Sequence, residues 1–205
     1  MADILWARHG QNVANLTKTF SYRVFDGDLT DAGRQQAQEL ADRLAGDAGE
    51  PIGLLGCSPL RRARQTAEII GRRLGLAVTM ELDDLREINV GGLDGRSDER
   101  AWDTYARVLA AWKAGETEVR FPGGEDYAEL CARLRRALAA VARSAGDRRS
   151  LLVAHGANLR AALPCLAGEP DPGADLPTGA VAALHVHPGG SPVVRLVSWP
   201  GAAPG

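Results

Sequence analysis

Lysine is almost missing from this chain of 205 residues. Lys18 and Lys113 are the only two, so the other 22 of 24 basic side chains are arginine. One reading is compositional bias, since Ala, Gly and Pro are also plentiful. The other is anion binding, because the guanidinium fork matches carboxylate and phosphate. Cysteine is scarce too. Cys57, Cys131 and Cys165 are odd in number and widely spaced, with no CxxC and no metal-knuckle spacing. They are expected to be buried thiols in a reducing compartment. The opening MADILWARHG has no basic region, long apolar stretch or cleavage site of a secretory signal. The longest stretch without Asp, Glu, Lys or Arg, Leu176 to Val194, holds Pro177, Pro188 and Pro192 and several glycines, which excludes a membrane helix. A cytoplasmic protein with no membrane partner is expected. Charge excess is also lacking: 24 basic against 26 acidic residues give a net charge of −2, which argues against a dedicated nucleic-acid binder. GxxxxGK[ST], GxSxG and HExxH are absent, which disfavours a P-loop enzyme, a serine hydrolase and a zincin. What remains is 45% hydrophobic residues, too apolar for disorder and ample for the core of one domain over 1–205.

Two kinds of segment alternate along the chain. Apolar runs of strand length are Ile4–Ala7, Ile52–Cys57, Ala77–Leu82, Ser150–Ala154, Val181–Val186 and Val193–Trp199. Several lack polar alternation, as strands covered on both faces do. Helical spacing joins Ala37, Leu40, Ala41 and Leu44, then Leu60, Ala63, Ala67, Ile70 and Leu74, then Tyr127, Leu130, Leu134, Leu138 and Val141. A weaker helical pattern runs through Trp102, Tyr105, Leu109 and Trp112. The alternation predicts an α/β fold, a three-layer α/β/α sandwich on a mostly parallel sheet of about six strands. The last two strands, separated only by His187–Pro192, read as a hairpin and make the sheet mixed. Thr30 and Ser58 read as helix N-caps, Pro59 as a first helical residue, and Gly75 as a helix terminator. The tail Pro200–Gly205 is expected to fray.

Arg8-His9-Gly10 follows the first strand at its carboxyl end, the edge where open α/β sheets bind ligands. Val153-Ala154-His155-Gly156 ends a second strand in the same way, and a helix reads from Ala157. Two imidazoles at one sheet edge, beside a helix N-terminus, suit an anion. The run Ser58 to Ala67 places arginines in the first turn of a helix, where their own helix dipole disfavours them. An anion between them and the histidines gives that placement a reason.

At this point the chain resembles the histidine phosphatase superfamily, of phosphoglycerate mutase-like fold, over roughly Ile4 to His187. The RHG signature is Arg8-His9-Gly10, followed by Gln11 and Asn15. D-x-x-L-T-x-x-G-x-x-Q-A is matched by Asp26, Leu29-Thr30, Gly33 and Gln36-Ala37, and S-x-L-x-R-A-x-x-T-A by Ser58, Leu60, Arg62-Ala63 and Thr66-Ala67. L-x-E-x-x-x-G-x-x-x-G is Leu85, Glu87, Gly91 and Gly95, P-G-G-E is Pro122–Glu125, and the second histidine element is His155-Gly156. The resemblance implies that His9 is a nucleophile forming a phosphohistidine. Arg8, Arg62 and His155 then hold the phosphoryl oxygens, and Glu87 protonates the leaving oxygen before activating water. Gln11 and Asn15 are implied in substrate binding. Guanidinium forks and a second imidazole stabilise charge on nonbridging oxygens. A nucleophilic imidazole nitrogen must be bare, so the other one should donate to a backbone carbonyl. Glu87 must start protonated, which a partly dry site favours. Asp94 and Glu125 are the alternative acids.

The implied function is a phosphomonoesterase of histidine acid phosphatase type, hydrolysing a small phosphorylated metabolite with no cofactor and no metal. Its alternatives are a phosphoglycerate mutase and a non-catalytic phospholigand-binding module. Glu87 to Glu125 spans 38 positions, expected to form a helical lid at about 96–124. Mutases carry a longer insertion there with paired arginines, whereas Arg107, Lys113 and Arg120 stand apart. Mutases also read RHGES-x-WN where this chain has Arg8 to Asn15 as RHGQNVAN, so the phosphatase is favoured. A homodimer is compatible with the sequence. His185 and His187 share a strand face, but no carboxylate or cysteine at helpful spacing supports a metal. The aromatics and bases of Leu16–Gly27, and Trp102, Tyr105 and Trp112, either line a substrate pocket or pack against the domain.

Overall fold

The computed structural model describes residues 2–168, 176–187 and 193–198. Its strands are β1 (Ala2–Arg8), β2 (Ile52–Cys57), β3 (Met80–Glu81), β4 (Arg149–Ala154), β5 (Val181–His187) and β6 (Val193–Ser198). Its α-helices are α1 (Val13–Thr17), α2 (Asp31–Ala45), α3 (Arg61–Leu74), α4 (Glu99–Lys113), α5 (Tyr127–Ala145) and α6 (Gly156–Ala167). The sheet runs β3-β2-β4-β1-β5-β6, parallel from β3 to β1, with β5 antiparallel to β1 and β6 antiparallel to β5. The six-stranded mixed sheet expected from the alternation is present. The turn between β5 and β6 and the tail Pro200–Gly205 lie outside the described residues.

Side chains alternate across a strand, and here both sets are apolar. Leu5 and Ala7 of β1 and Leu151 and Val153 of β4 pack with Leu40, Ala63 and Ile70 of α2 and α3. Ile4, Trp6, Leu152 and Ala154 of the same strands face Leu134, Leu138, Leu159 and Leu163 of α5 and α6. Covering both faces explains the unbroken apolar runs. Gly10 and Gly33 let the loop after β1 touch the start of α2. A Cβ at Gly10 would overlap the Gly33 carbonyl oxygen, and one at Gly33 would overlap that of Gln11.

Two of the expected helix ends are met and two are corrected. Thr30 caps α2, accepting from Gly33 N at 3.0 Å, and Gly75 ends α3 at φ 68°. Ser58, however, is not an N-cap, and Pro59 is not a first helical residue. Helix α3 begins at Arg61 after Leu60. Its first N–H is taken by the Asp26 carboxylate, Arg61 N to Oδ2 at 2.9 Å, while the Ser58 hydroxyl is held by His155 at 2.9 Å. The third expected strand shrinks from Ala77–Leu82 to two residues, because only Met80 and Glu81 pair with β2. The cysteine expectation also changes. Cys57 is a buried free thiol, pushed up to about 12 chiefly by burial, but Cys131 and Cys165 form a disulfide tying α5 to α6. Among the described residues no helix is long and apolar enough to cross a membrane.

Candidate active site

Strands β1, β2 and β4 end side by side, with Arg8 in register with Ala154 and Cys57 with Val153. His9, Ser58 and His155 are the next residue of each strand, so all three collect at the carboxyl edge. The ring centroids of His9 and His155 are 5.2 Å apart. The Trp6 indole donates to the His155 carbonyl at 2.9 Å and locks the two strand ends together.

His9 is buried. Its Nδ1 lies 2.7 Å from the Gly10 carbonyl, an acceptor only, so the ring proton sits there. Arg62 Nε donates to His9 Nε2 at 3.1 Å, which requires a bare Nε2. Burial, then the Arg62 and Arg8 charges, hold His9 well below the ordinary histidine range. The ring is therefore neutral at neutral pH, with its lone pair facing Arg62. Before Nε2 attacks anything, the Arg62 hydrogen bond must give way.

Arg62 is buried and lowered to about 10, chiefly by burial, with Glu87 and Asp26 opposing that shift. It keeps its charge at neutral pH. Its Nη1 and Nη2 donate to Ser21 Oγ and Ser21 O at 2.9 and 3.0 Å. Nη2 also meets His155 Nδ1 at 3.3 Å. His155 is fully buried and held well below the ordinary range by burial and then Arg62. A guanidinium has no acceptor, so His155 Nδ1 is bare and the proton on Nε2 goes to Ser58 Oγ. Ser58 thus sets the second histidine's tautomer, which the cap reading missed.

Glu87 comes from the irregular segment after the short helical turn Asp83–Leu85. Its Oε1 accepts from Ile88 N at 3.0 Å and from Asn158 N, in the first turn of α6, at 2.9 Å. With Oε1 engaged by two donors, any proton Glu87 carries belongs on Oε2. The segment is fixed from outside. Arg133 of α5 donates to the carbonyls of Asp84, Arg86 and Glu87 at 2.7, 2.8 and 3.0 Å, and to both carboxylate oxygens of Glu125 at 2.7 and 2.8 Å. All five guanidinium donors are used. Asn158 Nδ2 adds a bond to the Arg86 carbonyl at 2.9 Å. Glu125 is therefore tied to Arg133. Asp94 accepts the backbone N–H groups of Tyr22, Arg23 and Val24 and so holds the loop that brings Ser21 to Arg62. Both alternative acids have structural work.

A cavity of about 750 Å³ opens over this edge, lined by Arg8, His9, Asn15, Arg62 and Glu87 among others. His155 lies just beneath, reached through Arg62. Gln11 does not line it, since its Oε1 accepts from Thr30 Oγ1 at 2.9 Å instead. Asn12 does line it. Its Oδ1 caps α1, accepting from Asn15 N at 3.2 Å, and Asn15 returns the bond at 3.0 Å. Asn12 Nδ2 and Arg8 Nε are buried without a hydrogen-bond partner among the described residues. Buried donors are rarely left so. An anionic oxygen entering the cavity would satisfy them. Asn12 was missed in the sequence because its signal is only a polar residue before a short helix. Among the described residues no group of three or more His, Cys, Asp or Glu is arranged to hold a metal, and His185 and His187 have no third ligand.

The chain belongs to the histidine phosphatase superfamily (branch 1), whose family model matches residues 4–198. Its relatives carry both kinds of name. The chain is 32% identical over 160 residues to phosphoglycerate mutase-like protein 4 of Arabidopsis thaliana, covering 78% of this chain and 68% of that one. It is 29% identical over 162 residues to the metal-independent phosphoserine phosphatase of the same plant, covering 78% and 67%. Among solved structures, the mycobacterial glucosyl-3-phosphoglycerate phosphatase in complex with VO3 superposes with a TM-score of 0.78 at 28% identity, covering 96% of this chain and 98% of that chain.

Proposed function

We propose that this protein is a phosphomonoesterase acting on a small phosphorylated metabolite through a phosphohistidine. His9 Nε2 attacks phosphorus and the P–O bond to the leaving group breaks. Glu87 gives that oxygen its proton from Oε2. The Glu87 carboxylate then takes a proton from water, which attacks the phosphohistidine and releases phosphate and neutral His9. Arg8, Arg62 and Asn12 hold the phosphoryl oxygens, and His155 supports Arg62 from below. Splitting one displacement into two is the gain of covalent catalysis. The observation that carries this reading is a His9 whose bare Nε2 meets Arg62, in a cavity lined also by Arg8 and Asn12, whose Nε and Nδ2 are buried donors without a partner among the described residues.

Hydrolysis is favoured over mutase transfer because the segment between Glu87 and Glu125 holds a single α-helix, α4, and no paired arginines for a substrate carboxylate. The low pKa of His9 keeps the nucleophile competent on the acid side of neutrality, as an acid phosphatase requires. The test is turnover of phosphate esters in EDTA, with vanadate as inhibitor, beside a phosphoglycerate mutase assay. The expected result is metal-independent, vanadate-sensitive release of phosphate. Activity lost in EDTA and restored by Mg²⁺ or Zn²⁺, or isomerisation of phosphoglycerate faster than its hydrolysis, would overturn it.

A further inference from the structure

The cavity is much larger than a phosphoryl group. About 750 Å³ falls in the range that encloses a whole drug-sized ligand. Beyond His9 and Glu87 its lining changes character. Helix α4 contributes Trp102, Tyr105 and Leu109, spaced to share one helix face, and α6 contributes Ala157, Ala161 and Pro164 at similar spacing. Phe20 braces the α4 wall, its ring 4.4 Å from that of Trp102 and 5.1 Å from that of Tyr105. Trp102 is still 38% exposed, although it belongs to this cluster.

The polar atoms of the indoles are turned away. Trp102 Nε1 donates to the Lys18 carbonyl at 2.9 Å and Trp112 Nε1 to the Val119 carbonyl at 2.5 Å. What these side chains offer a ligand is ring face and hydrocarbon. A hydroxyl that met only Trp102, Leu109, Ala157, Ala161 and Pro164 would surrender water without a matching partner, which is costly, whereas a flat apolar group there loses nothing.

We propose that the leaving group of the substrate carries an apolar ring system, seated between α4 and α6 while the phosphate lies on His9. This rests on the phosphomonoesterase reading and narrows it to one substrate class. The competing occupant is an acidic or sugar leaving group, for which Lys113 and Arg160, also in the lining, would be the anchors.

The experiment compares primary alkyl phosphates of similar leaving-group basicity, so that demand on Glu87 is constant: ethyl, 2-phenylethyl and 2-naphthylethyl phosphate, with glycerol 3-phosphate and 3-phosphoglycerate. In parallel, calorimetry measures binding of 2-phenylethylphosphonate and ethylphosphonate, which are not hydrolysed. The ring-bearing esters should show kcat/KM about ten- to a hundredfold above ethyl phosphate, the size expected for burying one aromatic side chain's worth of surface. The phosphonates should follow the same order in affinity. Trp102→Ala and Leu109→Asp should each shrink the phenylethyl-to-ethyl ratio in both measurements. Equal kcat/KM for ethyl and phenylethyl phosphate, or preference for 3-phosphoglycerate or glycerol 3-phosphate, would overturn the inference and leave the phosphatase standing. Tighter binding of the phenyl phosphonate with no ester hydrolysed would do the reverse.

Discussion

His9 and Glu87 line the same cavity, yet they are held in place by different means. His9 continues a central strand, and its partners Gly10, Arg62 and His155 sit at the ends of regular elements. Neighbouring strand register fixes the group almost by itself. Glu87 stands in an irregular segment with no ladder to hold it. Its position is maintained by the side chains of Arg133 in α5 and Asn158 in α6, which donate to backbone carbonyls, and by the Asn158 backbone N–H, which donates to the carboxylate. The His9 half is built by strand register and the Glu87 half chiefly by buried polar side chains. The first should tolerate changes around it, and the second should fail through residues that touch no substrate.

The largest effect expected is at the strand end. His9→Ala should abolish turnover and the acid-labile, base-stable phosphoenzyme seen with a labelled phosphodonor. Wild-type-like turnover in that variant would remove the mechanism altogether.

Next comes the acid. General acid catalysis is typically worth ~10²–10⁴-fold, and Glu87→Gln should lose about that much on an alkyl phosphate. On p-nitrophenyl phosphate, whose leaving group departs largely unaided, single-turnover phosphorylation should suffer much less, giving a burst followed by slow turnover. Arg62→Ala should slow both substrates alike. Equal single-turnover losses for Glu87→Gln on the two substrates would deny it the proton-donor role.

The contrast between the halves is sharpened by Arg133. Arg133→Met strands the buried Glu125 carboxylate, a change that costs ~3–5 kcal/mol, readable as a lower midpoint in urea. Replacing both members, as Arg133→Met with Glu125→Leu, should recover most of that stability, because apolar replacement of a buried ion pair is often neutral or better. It should not recover alkyl phosphate turnover, since the carbonyls of Asp84 and Glu87 still lack the Arg133 donor and that of Arg86 keeps only Asn158 Nδ2. Full recovery of both would mean that Glu87 needs no outside support.

The smallest effect belongs to the histidine half. The folded-state pKa values of His9 and His155 are both lowered from 6.5. Below pH 6.5 the unfolded chain takes up protons that the folded chain refuses, so stability should be level above that pH and fall as pH drops. The slope approaches about 1.4 kcal/mol per pH unit for each histidine. Urea titrations from pH 7.5 to 5 would measure it, with His155→Gln as the control that should remove its own share and leave that of His9. A flat profile in the unsubstituted protein would contradict the burial argument.

The same contrast decides what was legible in the sequence. The strand–His–Gly elements, the Thr30 and Gly75 helix ends and the sheet were readable because each is a short contiguous pattern. Arg133 and Asn158 were not, because they act on Glu87 from 46 and 71 positions away. Ser58 was misread for a related reason. Locally Ser-Pro is a helix start, but a buried imidazole from another strand claims the hydroxyl. Cys131 and Cys165, separated by 34 positions, carry no local sign that α5 and α6 bring them together.

The strand order has a consequence for how the chain is made. Arg8 and His9 are synthesised well before their partners, because β1 pairs only with β4 and β5, residues Arg149–Ala154 and Val181–His187. Until those emerge from the ribosome, the apolar Ala2–Ala7 segment has no strand beside it, and β1 and β2 have nothing between them. Pairing across such long stretches is slow and leaves apolar surface open to self-association while it waits. The nascent chain therefore carries His9 long before β4 arrives and the site can assemble around it.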